Sequence, residues 1–162
     1  MASTYSDKNI TNMSQMQLMR FRPEFAIGND DVGGQVHAIG EIISNSKDEL
    51  PYVTNGSIEL TVFVNSKEKR YQIAVSDSGR GVPLNSVVGV FTVPHTSAKY
   101  DQNAYNSSSG LFGIGAKATL AVTKRFRAIS ARNKDFSSGK NDLGYASVTT
   151  SELLYDQCVS SI

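Results

Sequence analysis

A helix is predicted over residues 37–50, where polar and apolar positions separate onto two faces. The stretch reads HAIGEIISNSKDEL, and at about 100° per residue its side chains divide into two stripes. The apolar stripe consists of Val36, Ile39, Ile43 and Leu50. The polar stripe consists of His37, Glu41, Asn45 and Asp48. The apolar stripe predicts that this helix packs on a sheet.

Alternating side chains predict strands at residues 57–64, 71–76, 125–133 and 145–150. In the first two strands, the side chains expected to face inward are those of Ile58, Leu60, Val62, Val64, Tyr71, Ile73 and Val75. A short apolar segment spans residues 87–93, a second helix is predicted over 116–123, and 153–162 leave room for a short final strand. Residues 28–34 and 137–142 read as a loop and a turn. Without an internal repeat or linker, these elements are expected to form one domain.

Residues 1–20 are rich in Ser, Thr, Asn, Gln and Met and have no periodic apolar face. We therefore predict a mobile N-terminal arm that does not pack as a helix on its own domain, followed by the domain itself at 21–162. Tyr5 and Ile10 are isolated apolar side chains of this arm. On composition alone, they also fit a disordered tail with scattered side chains.

The polar stripe of the first helix carries chemistry-bearing groups and neither Lys nor Arg. Glu41 is suited to act as a general base on water, and His37 lies one turn earlier, where it can orient that carboxylate. Asn45 offers a neutral oxygen suited to Mg²⁺, a hard cation. The alternative is an amphipathic helix whose outer face is simply solvated.

An aspartate stands at the end of the second strand, in the run Asp77-Ser78-Gly79-Arg80-Gly81-Val82-Pro83. A carboxylate beside bare glycine backbone can accept a hydrogen bond from an exocyclic amine while a flat ring lies over the glycines. The alternative is a plain glycine turn between a strand and a helix. The sequence alone leaves both interpretations open.

A second glycine motif, GLFGIG at residues 110–115, precedes the second helix. Glycines before a helix expose backbone N–H groups to an anion, and the helix dipole favours that anion. The motif lacks the Gly-Lys-Ser/Thr ending of a Walker loop, and no strand leads directly into it as a dinucleotide fingerprint requires. It therefore matches neither of these two nucleotide-binding motifs.

Composition limits the possible functions. The 162 residues are 40% hydrophobic with a formal net charge of +1, so no strong overall field indicates direct binding of DNA or membrane by this chain. The single cysteine, Cys158, excludes an internal disulfide and a cysteine-based zinc cluster. Neither an apolar run of about 18 residues nor a secretory signal is present. We therefore expect a cytosolic protein.

Three motifs, taken in order, resemble those of the GHKL ATPases: E-x-x-x-N-x-x-D-E on a helix, D-x-G-R-G-x-P after a strand, and G-L-x-G-x-G before a helix. The nearest resemblance is to the ATPase domain of the B subunit of DNA gyrase and its type IIA topoisomerase relatives. Arg22-Pro23 with Ile27-Gly28 resembles a signature of that group, and the spacing from Lys99 to Gly115 resembles its lid. The triplet Ser44-Asn45-Ser46 is also similar to the chaperone version of the helix.

The resemblance implies a role for each matching residue on the first helix and the strand-end turn. Glu41 would activate the attacking water with support from His37, and Asn45 would hold Mg²⁺. Asp77 would bind adenine above Gly79 and Gly81. The pocket wall would consist of Asp48, Glu49, Arg80 and Pro83, with Glu49 and Arg80 paired.

The resemblance also implies roles for residues farther from the helix. Lys99 and Tyr105 would be lid residues that contact phosphate and adenine. The phosphate-cradling loop would consist of Gly110, Leu111, Gly113, Ile114 and Gly115. Arg132 would lie at the pocket mouth. Tyr5 and Ile10 would belong to an arm that crosses to the partner subunit.

The implied fold is an α+β, Bergerat-type two-layer sandwich with a mixed, mostly antiparallel sheet and helices on one face. The implied ligands are ATP and Mg²⁺, and the implied function is ATP-gated dimerisation that drives DNA strand passage. The partners would be a second copy of the chain, a DNA-cleaving topoisomerase subunit, and DNA reached through other domains of a longer subunit, with no membrane. Hydrolysis by this domain alone is expected to be weak. The alternative is a chaperone-like or degenerate nucleotide-binding module without topoisomerase activity.

Overall fold

The structure, a computed structural model, describes residues 10–68, 70–101, 113–133, 143–151 and 159–161. The helices in these ranges are α1 Gln15–Phe21, α2 Glu24–Ile27, α3 Val32–Glu49, α4 Val87–Thr92 and α5 Gly115–Val122. The strands are β1 Ile58–Asn65, β2 Arg70–Asp77, β3 Arg125–Asn133, β4 Leu143–Ser151 and β5 Val159–Ser161. Short 3₁₀ turns occupy Leu50–Tyr52, Leu84–Ser86 and Ala98–Tyr100. Within the ranges described, no helix has the length and apolar character needed to cross a membrane.

All strand pairings in the described ranges are antiparallel. β1 pairs with β2, and β4 lies between β3 and β5. The predicted strands are confirmed, each within two residues of β1 to β4, and β5 is the short final strand expected within 153–162. Helices and antiparallel strands together confirm the α+β class. Among these residues the strands form two sheets, whereas the resemblance implied a single one.

α5 is the central helix of the fold. Its residues 116–121 are all buried, and it contacts α1, α2, α3 and α4. Ala118 packs in one cluster with Ile27 of α2 and Ala38 of α3. Thr119 Oγ1 donates a hydrogen bond to the Ala38 carbonyl at 2.8 Å. α5 and α3 therefore approach closely, which brings the start of α5 next to the polar residues of α3.

A second cluster joins the helices to the three-stranded sheet. Val87 of α4 packs against Ala146 and Val148 of β4, and Val87 and Val148 are the largest fully buried side chains among the described residues. The rings of Phe91 and Phe126 lie beside it with centroids 5.7 Å apart. The apolar segment predicted at 87–93 is thus the helix α4, which packs on β4.

α3 is longer than predicted, and its predicted apolar stripe is only partly covered, with Ile39, Ile43 and Leu50 partly buried. It begins at Val32, because Asp31 caps it by accepting a hydrogen bond from the Gly34 amide at 3.1 Å. The loop predicted at 28–34 was therefore wrong for its last three residues. Val36 of the predicted apolar stripe is 63% exposed, so that part of the prediction was wrong as well.

The buried positions of α3 are Gly34, Ala38 and Ser46. A Cβ on Gly34 would lie 1.8 Å from the Asn29 carbonyl oxygen, and Ala38 lies against α5. The buried face is thus made of small residues because neighbouring backbone comes very near. A hydrophobicity pattern does not detect such a face.

Residues 15–20 lie in α1, so the prediction that the first 20 residues form no helix was wrong for them. Ser14 and Gln17 form a capping box, with Ser14 Oγ accepting from the Gln17 amide at 3.2 Å and Gln17 Oε1 accepting from the Ser14 amide at 2.8 Å. Met19 is buried, and α1 contacts α5. Ile10 is 67% exposed, and Tyr5 lies outside the described residues.

The β1–β2 hairpin exposes several side chains that were predicted to face inward. Ile58, Ile73 and Val75 are partly buried, as predicted. The prediction was wrong for Leu60, Val62, Val64 and Tyr71, which are all at least half exposed. α3 contacts both strands, and the Tyr71 hydroxyl reaches across the surface to donate to Gln35 Oε1. The alternation identified the strands correctly, but the burial of each face depends on what covers the hairpin.

Candidate functional site

α3 presents the predicted site residues Glu41, Asn45, Asp48 and Glu49 along successive turns, all partly buried. Three other segments contact them: the turn after β2, the turn Ala98–Tyr100 and the start of α5. The polar stripe is therefore not a simply solvated helix face. The other segments that carry site residues pack against it.

Asp77, the last residue of β2, is held by two donors. Ser46 Oγ donates to Oδ2 at 2.7 Å, and the Gly79 amide donates to Oδ1 at 2.9 Å. A Cβ on Gly79 would lie 2.7 Å from both Asp77 Oδ1 and Glu49 Cβ, so only bare backbone fits there. Because each carboxylate oxygen has more than one acceptor position, Asp77 keeps the capacity to accept from a further donor such as an exocyclic amine.

Glu49 and Arg80 form the predicted pair. Arg80 Nε donates to Glu49 Oε2 at 3.0 Å, Arg80 Nη2 donates to Oε1 at 3.2 Å, and the Arg80 amide also donates to Oε2 at 3.1 Å. The guanidinium lies over the Tyr52 ring, 3.9 Å from its centroid. This pairing was predicted and is confirmed, and it fastens the turn after β2 to the end of α3.

The same turn is attached to β3 on its other side. Arg132 Nη1 donates to the Gly81 carbonyl at 3.0 Å, and Ser130 Oγ donates to the Val82 carbonyl at 2.9 Å. Gly81 has φ of 73°, and a Cβ there would lie 2.2 Å from the Ala131 carbonyl oxygen. Pro83 is exposed and leads into the turn Leu84–Ser86. Arg132 thus lies beside the glycine turn, and its place at a pocket mouth remains a prediction.

Lys99 is bound to α3. Its Nζ donates to Asn45 Oδ1 at 2.8 Å and to Asp48 Oδ2 at 2.5 Å, and the side chains of Lys99 and Asp48 are each 9% exposed. The Asn45 and Asp48 oxygens therefore already surround a cation. In the part of the chain that is described, no group of three or more His, Cys, Asp or Glu side chains is arranged to hold a metal.

Glu41 lies against the start of α5. A Cβ on Gly115 would be 2.0 Å from Glu41 Oε2 and 3.0 Å from Glu41 Cβ. His37 Nε2 is 3.8 Å from Glu41 Oε1, a separation within the range of an ion pair but too long for a hydrogen bond. Gly113 and Ile114 complete this corner, with Gly113 at φ of 60° and Ile114 at the N-cap of α5. The carboxylate of Glu41 thus faces the glycine backbone at which an anion was predicted.

Four predicted site residues, Tyr5, Tyr105, Gly110 and Leu111, lie outside the described residues. Their implied roles, and the turn predicted at 137–142, remain predictions. Residues 95–109 are the polar segment that carries the expected lid residues Lys99 and Tyr105, and residues 95–101 of it are described. They are attached to the body of the domain by Lys99.

Lys117 belongs to the site's surroundings, although no role was predicted for it from the sequence. It is 2% exposed in the first turn of α5, and its Nζ donates to the Thr96 carbonyl at 2.7 Å. Burial lowers the pKa of Lys117 from 10.5 to about 8. Thr96 immediately precedes Ser97, and a Cβ added to Gly113 would lie 3.3 Å from the Ser97 Cβ. Lys117 therefore supports the contact between residues 95–97 and the glycine backbone.

Ser46 and Tyr52 also contact the site, and neither was predicted. Ser46 is a buried hydroxyl whose partner, Asp77, lies 31 residues away, so no local pattern indicates the contact. The sequence indicated this contact only indirectly. Ser46 follows Asn45 and precedes Asp48 and Glu49 on the same helix, and those three residues had expected roles in the site. Tyr52 follows the helix end at Glu49 and was not distinguished from an ordinary turn residue.

Comparison with known proteins gives one family match and several relatives. A family model described as "Histidine kinase-, DNA gyrase B-, and HSP90-like ATPase" matches residues 30–149. The B subunit of DNA topoisomerase 4 from Mycoplasma capricolum is 35% identical over 137 residues, which cover 80% of this chain and 20% of that protein. The B subunit of DNA gyrase from Campylobacter jejuni is 31% identical over 153 residues, which cover 86% of this chain and 19% of that protein.

A third relative, the B subunit of DNA gyrase from Mycoplasmoides gallisepticum, is 34% identical over 131 residues, covering 76% of this chain and 19% of that protein. The chain spans about a fifth of the length of the curated relatives it matches. The matched residues 30–149 include α3, the turn after β2 and the start of α5. These are the elements that carry the candidate site.

Proposed function

The chain belongs to the histidine kinase-, DNA gyrase B- and HSP90-like ATPase family, and from this premise we propose that it is the ATP-binding and ATP-hydrolysing domain of a type IIA DNA topoisomerase subunit. One observation carries the proposal: α3, which holds the first motif, contacts the other two motif segments and the lid segment. Ser46 contacts Asp77 of the strand-end motif, and Glu41 contacts Gly115 of the glycine motif. Lys99 of the lid segment contacts α3 between them.

In this proposal, adenine binds at Asp77. Ser46 and Gly79 orient the carboxylate, which accepts a hydrogen bond from the exocyclic amine of the base. Neither Gly79 nor Gly81 presents a side chain to the flat ring. The Glu49–Arg80 pair and Arg132 hold the turn in place beneath it.

The phosphates lie toward the start of α5, where the amides from Gly113 to Gly115 and the helix dipole favour an anion. Glu41 takes the proton of a water that attacks the terminal phosphorus, so the new P–O bond forms as the bond to the bridging oxygen breaks. His37 supports that carboxylate. Phosphoryl transfer depends mainly on positioning and on neutralising charge.

A divalent cation fits the donors present, because Asn45 Oδ1 already accepts from an ammonium at 2.8 Å and neutral carboxamide oxygens suit Mg²⁺. When bound, Mg²⁺ would neutralise charge on the phosphates. Asn45 would hold it through Oδ1.

The wider function follows from the relatives. The three described are gyrase or topoisomerase 4 subunits, which favours a topoisomerase role over a chaperone-like or degenerate nucleotide-binding module. We propose that nucleotide binding promotes a homodimer through the N-terminal arm with Tyr5 and Ile10. DNA and a DNA-cleaving subunit would be engaged by other parts of a longer subunit in the cytoplasm.

The test is titration calorimetry of this chain with a non-hydrolysable ATP analogue in the presence of Mg²⁺. We expect saturable binding that weakens in Asp77→Asn, since an amide presents a donor to the adenine amine, by about 1–3 kcal/mol. The control is Asp30→Asn, an exposed aspartate before α3. Absence of binding to the unaltered chain would contradict the proposed function. Equal affinity in Asp77→Asn would contradict the adenine assignment alone.

A further inference from the structure

Two oxygens of α3 converge on one point. Asn45 and Asp48 are three residues apart, so their side chains lie on the same side of the helix. Both Asn45 Oδ1 and Asp48 Oδ2 accept from the same atom, Lys99 Nζ, at 2.8 and 2.5 Å. The geometry is that of a two-oxygen cation site with an ammonium as its occupant.

The occupant is buried and well held. The side chains of Lys99 and Asp48 are each 9% exposed, and a charge-assisted hydrogen bond of this length is among the stronger kinds. The Lys99 ammonium is close to both oxygens. A divalent cation bound to the same two oxygens would have to occupy its position. Because two cations repel each other strongly at such a separation, the site holds one or the other.

Exchange of Lys99 for a divalent cation would change how the segment that carries Lys99 is attached to α3. Ser97 Oγ accepts from the Lys99 amide at 3.1 Å, and the Thr96 carbonyl accepts from Lys117 Nζ at 2.7 Å. The segment is thus fixed at Thr96 by α5 and at Lys99 by α3. If Lys99 leaves α3, the turn Ala98–Tyr100 loses one of these two attachments and keeps the other.

Building on the proposed function, we propose that Asn45 and Asp48 together form the divalent-cation site and that Lys99 occupies it until Mg²⁺ arrives with the nucleotide. Asp48, which the motif resemblance placed in the pocket wall, is then a second cation ligand. Displacement of Lys99 frees its ammonium for the phosphates and removes the attachment of the turn Ala98–Tyr100 to Asn45 and Asp48. Loading of the cation and release of Lys99 from α3 are thereby coupled.

The test measures Mn²⁺ binding to the nucleotide-free chain by electron paramagnetic resonance. The unaltered chain and Asn45→Ala should bind Mn²⁺ equally weakly, because Lys99 blocks the site in the first and a ligand is missing in the second. Lys99→Met should bind more tightly by about ten- to thousandfold, the range over which a close charge shifts an ionic equilibrium. The gain should disappear in Lys99→Met with Asn45→Ala, and also with Asp48→Asn.

Two control variants sharpen the result. Lys99→Arg keeps a cation and should gain little, whereas Lys47→Met removes an exposed lysine of α3 and should gain nothing. Circular dichroism checks that each variant is folded. If the unaltered chain binds Mn²⁺ without nucleotide and loses that binding in Asn45→Ala, the proposal is overturned. This comparison does not depend on whether a Lys99 variant folds. A folded Lys99→Met that gains no affinity would overturn it too.

Failure of this proposal is distinguishable from failure of the proposed function. Binding of a fluorescent ATP analogue is measured on the same samples. If the analogue binds but Lys99→Met gains no Mn²⁺ affinity, the cation exchange is wrong and the nucleotide site stands. If the analogue does not bind but Mn²⁺ behaves as expected, the cation site stands and the nucleotide function is wrong.

Discussion

Ser46 and Asp77 are joined by a hydrogen bond of 2.7 Å between Oγ and Oδ2. Ser46 is buried on α3, whereas Asp77 lies at the exposed end of β2. The hydroxyl therefore fixes Oδ2 from the side of α3, while the Gly79 amide donates to Oδ1. This contact makes Ser46 a positioning residue for the proposed adenine site.

Ser46→Ala should weaken binding of the ATP analogue. Asp77 loses one of its two orienting donors, so we expect a loss of about 0.5–1.5 kcal/mol, the usual contribution of one hydrogen bond. Calorimetry measures the affinity at constant Mg²⁺. Ser57→Ala, which removes an exposed hydroxyl near the same turn, is the control and should bind as the unaltered chain does. An equal loss in both variants would assign the effect to the turn rather than to Asp77.

Glu49 and Arg80 should be strongly coupled in a double-mutant cycle. Three hydrogen bonds join them, and the two side chains are 15% and 29% exposed. Replacing Glu49 by Gln and Arg80 by Met, singly and together, should give a coupling energy of about 0.5–3 kcal/mol in urea unfolding. The exposed Arg22–Glu24 pair is the comparison, with an expected coupling below about 1 kcal/mol. Equal coupling in the two pairs would contradict a structural role for Arg80.

The family resemblance, which rests on the motifs and their order, implied which segments meet on α3. The Glu49–Arg80 pair was implied by that resemblance and is observed. The resemblance could be recognised because each motif is local: a few residues on one helix or one turn carry it. The strands were likewise found from alternation, which reflects the backbone geometry of the strand itself.

The features that escaped prediction depend on what approaches from elsewhere in the fold. Val36 is exposed and Gly34 buried because neighbouring backbone approaches α3 at the glycine, and size rather than hydrophobicity decides that face. Lys99 was expected to be a phosphate contact, but in this structure its ammonium binds Asn45 and Asp48. That pairing spans more than 50 residues and leaves no periodic trace. α1 did leave a local signal, the Ser14–Gln17 capping box, which was overlooked.

Gly81→Ala should destabilise the domain. Gly81 has φ of 73°, and a Cβ would lie 2.2 Å from the Ala131 carbonyl oxygen, so both backbone strain and a clash with rigid backbone follow. We expect the free energy of unfolding in urea to fall by about 1–3 kcal/mol or more. Gly40→Ala is the matched control, because no atom lies within 4 Å of its added Cβ. In the interior of α3 that change should raise stability by about 0.5–1 kcal/mol.

Glu41→Gln should abolish most hydrolysis while leaving nucleotide binding nearly unchanged. The amide keeps the shape of the side chain beside Gly115 but cannot take the proton of the attacking water. A positioned base contributes about 10²–10⁴-fold, and single-turnover hydrolysis of radiolabelled ATP by excess protein measures the loss. Glu59→Gln changes an exposed carboxylate of β1 and should hydrolyse at the normal rate. If Glu41→Gln stays within about twofold of the unaltered chain, another group is the base.

Lys117 should make stability depend on pH in the alkaline range. Burial lowers its pKa from 10.5 to about 8 in the folded chain, whereas in the unfolded chain the amine keeps its usual pKa. Between these two values the unfolded chain binds more protons than the folded one, so the contribution of Lys117 to the free energy of unfolding rises with pH. Below the folded pKa the amine is charged in both states, and burial of that charge opposes folding.

The measurement compares urea unfolding of the unaltered chain and Lys117→Met at about pH 7 and about pH 9.5. The stability of the unaltered chain relative to the variant should increase at the higher pH, because the variant carries no titrating group at this position. The difference between the two free energies of unfolding cancels the contribution of the other titrating groups, which both proteins share. Lys124→Met, which changes an exposed lysine just after α5, should show no such increase. A difference that is constant or falls with pH would mean that Lys117 is no less charged in the folded chain than in the unfolded one, and that its contact with Thr96 compensates for burial.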